Sequence, residues 1–181
     1  MATSLREAIH DLHHVAENTR FTKLLLSGDI TPEAYSKFLQ NLYPIYSLIE
    51  GYAIRNGLLT EIFSIQRADL IRKDIKELDC LPVSISRSTQ LYLEHIDYIN
   101  KHNPKLLLAH LYIRHFGDMY GGQMIKKIMP TAPHRHLDFA DAHALVAVMR
   151  SMLTDDLADE SNVAFNWAIK IMESYDESFK N

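Results

Sequence analysis

The sequence predicts an all-α fold: one domain spanning residues 1–181, built as an irregular bundle of about seven or eight helices. Three observations carry that prediction. Apolar residues recur at helical spacing along most of the chain, capping residues stand ahead of several of those stretches, and no segment shows the sustained alternation that marks a strand. At 181 residues the chain is long enough to bury one substantial core and short for two.

Ser4 and Glu7 form a capping box, and Leu5, Ala8, Ile9, Leu12, Val15 and Ala16 follow at helical spacing, which sets the first helix. Gly28-Asp29 ends a short second piece. Thr31-Pro32 opens a long helix with a threonine cap and a proline in the first turn, and Phe38, Leu42, Ile45 and Ile49 carry it to about residues 56–57. Residues 67–78 read as a helix closed by Cys80-Leu81-Pro82, and Ser86 or Ser88 begins one that continues to about residue 101. Pro104 stands at the start of a helix over 105–129. Residues 130–136 contain two prolines and read as a loop, and 138–155 and 159–175 give two final amphipathic helices.

The bulk composition excludes several classes of function. A formal net charge of −4 argues against a nucleic-acid binder, which presents a basic face. Lys126-Lys127 fits a helix C-terminus complementing its dipole. The single cysteine, Cys80, rules out an internal disulfide and thiolate metal clusters, so a reducing cytoplasm is the expected compartment. No basic segment followed by an apolar run begins the chain, and the apolar stretch 106–113, interrupted by His110, is far short of the roughly 20 residues of a membrane span. Neither a leader nor a membrane anchor is expected.

The segment Gly117-Asp118-Met119-Tyr120-Gly121-Gly122 places three glycines in an otherwise apolar helix, each costing up to about 1 kcal/mol relative to alanine. At roughly 100° per residue, Gly117, Gly121 and Gly122 fall on one side with Asp118 and, a turn earlier, Arg114. Two ordinary readings compete with a ligand: close packing of another helix on Gly117 and Gly121, or a break at Gly121-Gly122. Asp118 favours the ligand, because a carboxylate is costly in a tight helix–helix contact unless it is satisfied. A flat molecule approached by bare backbone, with Asp118 beside it holding water, accounts for both features.

On the first helix Arg6, His10, His13 and Glu17 share a stripe. That stripe reads either as a solvated polar face or as a ligand wall. His13 lies at the edge of the apolar face, and Glu17, one turn on, is placed to accept its Nδ1 proton and leave Nε2 free for a metal. His14 points about 100° away and is the weaker candidate. One histidine with an open position suits haem iron and is too little for bare zinc or non-haem iron.

Together these segments resemble the haem oxygenases. The family's distal pattern, Tyr-x-Arg-Tyr-x-Gly-Asp-Leu-Ser-Gly-Gly-Gln, is met by Tyr112-Ile113-Arg114-His115-Phe116-Gly117-Asp118-Met119-Tyr120-Gly121-Gly122-Gln123. Its proximal segment is met by His13-His14-Val15-Ala16-Glu17-Asn18 and Phe21, and its Leu-Tyr-x-Ile-Tyr stretch by Leu42-Tyr43-Pro44-Ile45-Tyr46. The resemblance covers nearly the whole chain and implies a haem-oxygenase-like fold without the membrane tail of animal members. It implies haem b, as substrate and cofactor, between the first helix and the glycine helix, with His13 as axial ligand.

The family's reaction reduces the iron, uses O2 to oxidise a meso carbon, and yields biliverdin, carbon monoxide and ferrous iron. Electrons come from an external reductase or ferredoxin, since nothing here resembles a nucleotide- or flavin-binding segment. By the same resemblance Asp118 organises the waters that deliver protons, Tyr46 and Arg114 complete its network, and Tyr112 meets a propionate or packs. Phe165 matches a family aromatic near the haem.

The chain departs from the family in ways that bear on the site. Arg6 and His10 fall where animal members place two propionate-binding lysines, and Arg150 is the relic of a basic pair on the penultimate helix. Ile113 stands for a frequent threonine, Ala168 for an asparagine, and Tyr120 for a serine, with Tyr120 expected to pack away from the glycines. Two other readings remain at this stage: a haem carrier without enzymatic activity, and a di-iron oxidase on a similar fold, for which no Glu-x-x-His pair is present.

Overall fold

The structure, a computed structural model, describes residues 5–178, with the side chains of Arg6, Ala8 and 176–178 outside the description. Ser4, and with it the expected capping box, lies outside the described residues. Ten α-helical segments and four short 3-10 turns make up the described chain, with no strand among them. The segments are α1 (Leu5–Ala8), α2 (His10–Glu17), α3 (Arg20–Ser27), α4 (Pro32–Arg55), α5 (Ala68–Leu78), α6 (Arg87–His102), α7 (Leu107–Tyr120), α8 (Gly122–Ile128), α9 (Ala142–Met152) and α10 (Ala158–Ser178). Since α1/α2 and α7/α8 are each separated by a single residue, eight helical rods result, as the sequence predicts.

The caps fall where short polar side chains precede an apolar run. Thr19 Oγ1 accepts from the Thr22 N–H, Thr31 Oγ1 from Ala34, and Ser86 Oγ from Thr89, each at 3.1 to 3.2 Å. Ser86, not Ser88, therefore starts α6. Gly28 closes α3 in the left-handed conformation, φ +79°.

Three boundaries differ from expectation. The first helix is interrupted at Ile9 (φ −99°, ψ 0°), whose side chain is buried in a cluster with α10 residues. The expected helix over 105–129 is a 3-10 turn, Pro104–Leu106, then α7 and α8; Gly121 between them keeps helical angles, and its N–H still reaches Gly117 O at 2.8 Å. The helix expected from 138 begins at Ala142, where the Asp141 side chain accepts from the Ala144 N–H; the preceding turn Arg135–Leu137 places Leu137 against Gly122.

The main core joins α3 to α10 through fully buried residues such as Phe21, Leu39, Ile45, Ile71, Tyr92, Leu107 and Met149. A smaller cluster of Ile9, Ala16, Ile113, Ala164, Phe165 and Ile169 positions the site. Through it α10 packs against both α2 and α7. Each buried aliphatic or aromatic side chain contributes about 1.5–3 kcal/mol. α2 and α7 are thereby fixed as two walls standing on a shared α10 floor.

Candidate active site

The acid of the glycine segment has a built partner. Tyr46, buried on α4, donates its hydroxyl hydrogen to Asp118 Oδ2 at 2.7 Å, and the Arg114 carbonyl lies 3.4 Å from the same hydroxyl. Burial pushes the Asp118 carboxyl up from its ordinary range, against the opposing pull of His136, His115, the Tyr46 hydrogen bond and Arg114. Burial and the Asp118 charge push the Tyr46 phenol well above its usual range, so it remains a donor. Arg114, on the turn before Asp118, is 7 % exposed, with its guanidinium carbon 5.1 Å from the Tyr92 ring centre. Its Nε and Nη2 are buried without a hydrogen-bond partner among the described residues.

The three glycines divide into two roles. Gly117 is exposed, and a Cβ built on it meets nothing within 4 Å; on Gly121, also exposed, it meets only the Gly117 carbonyl, at 3.0 Å. These two form an open backbone face. Gly122 departs from the expectation that all three border a ligand: it is buried, and its Cβ would lie 2.7 Å from Leu137 Cδ2. Its role is close packing against the 3-10 turn.

On the other wall, His13 is exposed, with its ring edge-on to Phe165 of α10 at 5.0 Å between centroids. Phe165 is buried and belongs to the cluster that includes Ile113, one turn before Gly117. The expected hydrogen bond from His13 to Glu17 does not form; Glu17 is exposed, as is His14, whose carbonyl accepts from Asn18. The spacing allowed that bond, but the His13 ring packs on Phe165 and Glu17 is left in solvent. His10 is exposed and pairs with Asp11 at 3.3 Å. Tyr112 is half-buried with its ring edge-on to Phe116 at 4.9 Å, and Arg150 is exposed in the last turn of α9. Arg6 lies on α1, its side chain outside the description. Tyr120 is 57 % exposed, and the packing expected of it is confined to an edge-on contact with Phe116, one turn earlier on α7, at 5.9 Å between ring centroids. Ala168 is buried on α10, without a polar group to offer.

Three buried histidine–carboxylate groups were not anticipated. His110 Nε2 and His95 Nε2 both meet Glu160 Oε1, at 2.9 and 2.6 Å, while the Tyr92 hydroxyl meets His110 Nδ1 at 2.7 Å. His115 Nε2 meets Glu50 Oε1 at 2.9 Å. His136 Nδ1 meets Asp74 Oδ2 at 2.8 Å, and Arg135 reaches the other Asp74 oxygen at 3.0 Å. His115 had a signal, since the family pattern has tyrosine there, and His110 interrupts an apolar run. Glu50, Glu160 and Asp74 gave none.

The cluster of His95, His110 and Glu160 is the only three-ligand constellation of histidine, cysteine or carboxylate among the described residues, and it carries one carboxylate. A di-iron centre of the bundle type gathers several. The donors at the α2 and α7 walls instead fit a haem: one accessible imidazole seated on an aromatic ring, a helix face bare of side chains, a carboxyl whose proton affinity is raised by burial, and a buried cation with two unmatched nitrogens.

The haem oxygenase family contains this chain. The family profile described as Heme oxygenase matches residues 1–149. Among named relatives, a heme oxygenase of Guillardia theta is 34 % identical over 73 % of this chain and 60 % of its own length, and one of Rhodella violacea is 30 % identical over 99 % and 88 %. Heme oxygenase-1 of Synechocystis sp., solved in complex with heme, superposes with a TM-score of 0.84 at 26 % identity, covering 98 % of this chain and 92 % of that one. The heme oxygenase of Leptospira interrogans, at 23 % identity and a TM-score of 0.82, shares the fold. No helix among the described residues is long and apolar enough to cross a membrane.

Proposed function

We propose that this chain is a haem oxygenase that opens haem b at a meso carbon and releases biliverdin, carbon monoxide and ferrous iron, using O2 and electrons from a separate reductase or ferredoxin. The carrying observation is the Tyr46–Asp118 pair, held at 2.7 Å on the turn that also presents the exposed Gly117 backbone. Bound haem supplies the redox iron that activates O2. His13 is the side chain to ligate it through Nε2, with Phe165 fixing the imidazole plane and Glu17 free to swing onto Nδ1. Gly117 and Gly121 leave room for a flat macrocycle. Asp118 holds and passes a proton at its carboxyl oxygens, Tyr46 orients that carboxyl, and Arg114 offers its two unmatched nitrogens as donors to the same network. Arg6, His10, Tyr112 and Arg150 are the groups to meet the propionates. The single cysteine supports a cytoplasmic setting, and the small second cluster supports one domain built on the main core.

The test is a single turnover of the reconstituted complex with ascorbate or a reductase under oxygen, followed by absorption. The Soret band gives way to a bilin spectrum; its persistence without bilin leaves a haem carrier instead. His13→Ala removes the iron–histidine signature, and its survival would move the ligand to His14. Asp118→Asn binds haem but loses most of the bilin yield.

A further inference from the structure

We propose that His115 is a positioning residue of this site: held as an imidazolium between Glu50 and the Leu111 carbonyl, it places a fixed positive charge behind Tyr46 that favours the ionised, proton-accepting form of Asp118. The consequence for turnover rests on the haem oxygenase reading above; the charge itself does not.

The hydrogen bonds decide the protonation state. His115 Nδ1 lies 3.1 Å from the Leu111 carbonyl oxygen, which only accepts, so Nδ1 carries a hydrogen. Nε2 lies 2.9 Å from Glu50 Oε1. That contact is a carboxylate accepting from N–H or a carboxylic acid donating to a bare nitrogen, and the rest of Glu50 distinguishes the two. Its Oε1 also accepts the Arg67 N–H at 2.6 Å and its Oε2 the Ala68 N–H at 3.1 Å. Both amides open α5, where the helix dipole favours an anion. A hydroxyl oxygen is a poor acceptor, so donors at both oxygens, one of them at 2.6 Å, favour the carboxylate form of Glu50 and with it hydrogen on both nitrogens of His115. The two side chains are 1 % and 4 % exposed, so the pair is sealed from water and its charges are weakly screened.

The charge sits close to the reacting carboxyl. The His115 ring is tilted against Tyr46 with centroids 5.1 Å apart, and the Tyr46 hydroxyl donates to Asp118 at 2.7 Å. His115 is among the charges that oppose the upward push of burial on Asp118. The other charged or titratable groups around it are Glu50, Tyr46 and Tyr35 of α4, Arg67 before α5, Arg114 of α7 and His136 of the 3-10 turn.

Two measurements on the haem-free protein test it. Nitrogen NMR of histidine-labelled protein at about pH 7 should give His115 two protonated-nitrogen shifts; one bare-nitrogen shift overturns the proposal. Carboxyl-carbon NMR of aspartate-labelled protein, with Asp118 identified by its loss in Asp118→Asn, should show Asp118 titrating at higher pH in His115→Gln and His115→Tyr. The first variant keeps a donor to Glu50 and drops the charge. An unmoved Asp118 in whichever variant folds also overturns it. In the haem complex the acid limb of the turnover profile should move the same way. A wild type that makes no bilin but passes both NMR tests would remove the haem oxygenase reading and leave the charge assignment standing.

Discussion

Alanine at Gly117 and at Gly122 changes the stability of this protein in opposite directions. Either substitution gains up to about 1 kcal/mol of helix propensity. At Gly117 the new methyl meets nothing within 4 Å, so the gain is retained in full. At Gly122 it lies 2.7 Å from Leu137 Cδ2, 3.3 Å from Cγ and 3.4 Å from Cβ, and Leu137 is itself 2 % exposed, so the whole side chain has to shift. Overpacking of that kind costs about 1–3 kcal/mol, which outweighs the propensity gain and leaves a net loss of about 1 kcal/mol. In a chain of this length 1 kcal/mol moves Tm by roughly 2–4 °C. Thermal unfolding of the haem-free variants followed by circular dichroism should therefore show Gly117→Ala above wild type and Gly122→Ala below it. A haem titration followed at the Soret band should show the reverse pattern, with uptake impaired in the more stable variant. Equal Tm shifts of the same sign, or full haem affinity and bilin yield in Gly117→Ala, would refute the division of the glycines into one that packs and one that faces the ligand.

Two further predictions concern buried charge. Burial raises the Glu160 carboxyl, but hydrogen bonds from His110 and His95 overcome it and hold Glu160 at about 2. A depressed carboxyl stabilises the fold above its unfolded value of 4.5, and that stability is lost as pH falls from there toward about 2. Urea unfolding between those limits should show a steep decline in wild type and a flatter one in Glu160→Gln; parallel curves would refute the assignment. Arg114→Met removes a buried cation with two unmatched donors and should raise haem-free stability by about 1 kcal/mol or more. It should also depress bilin yield, and a destabilised variant would mean that the stacking on Tyr92 outweighs the unmatched charge.

The helical rods were legible because their signals are local. Thr31, Ser86 and the Gly28 stop act on residues within a turn of themselves, and each acts as expected. The break at Ile9 depends on its seat against α10, which no local pattern announces. The same distinction runs through the site. Gly117, Asp118 and Tyr46 form recognisable patterns, and the structure joins Tyr46 to Asp118 across 72 positions of sequence. Gly122 could not be separated from Gly117 by helical geometry, because the side chain that decides its role comes from Leu137 in a turn after the helix ends. Glu50 with His115, and Glu160 with His110, are 65 and 50 positions apart; the histidines stand out in their segments, but each carboxylate alone reads as an ordinary polar residue on an amphipathic helix.

What distinguishes α7 is that its departures from good helix design share one stretch. Gly117 forgoes helix propensity without any neighbour requiring the space, Arg114 buries two donor nitrogens without acceptors, and Asp118 is held above its ordinary range by burial. Core residues on the same helix, Leu107, Leu111 and Met119, follow the usual rules. Departures scattered along a helix would reflect imperfect packing, whereas departures gathered within five residues of one helix are what a ligand-facing surface requires. Gly122 lies just beyond that stretch and has a structural reason in Leu137, which the others lack. This is why stability and turnover should separate at Gly117 and Arg114, where replacing the residue relieves the fold and damages the site, and should fall together at Gly122, where the fold itself is strained.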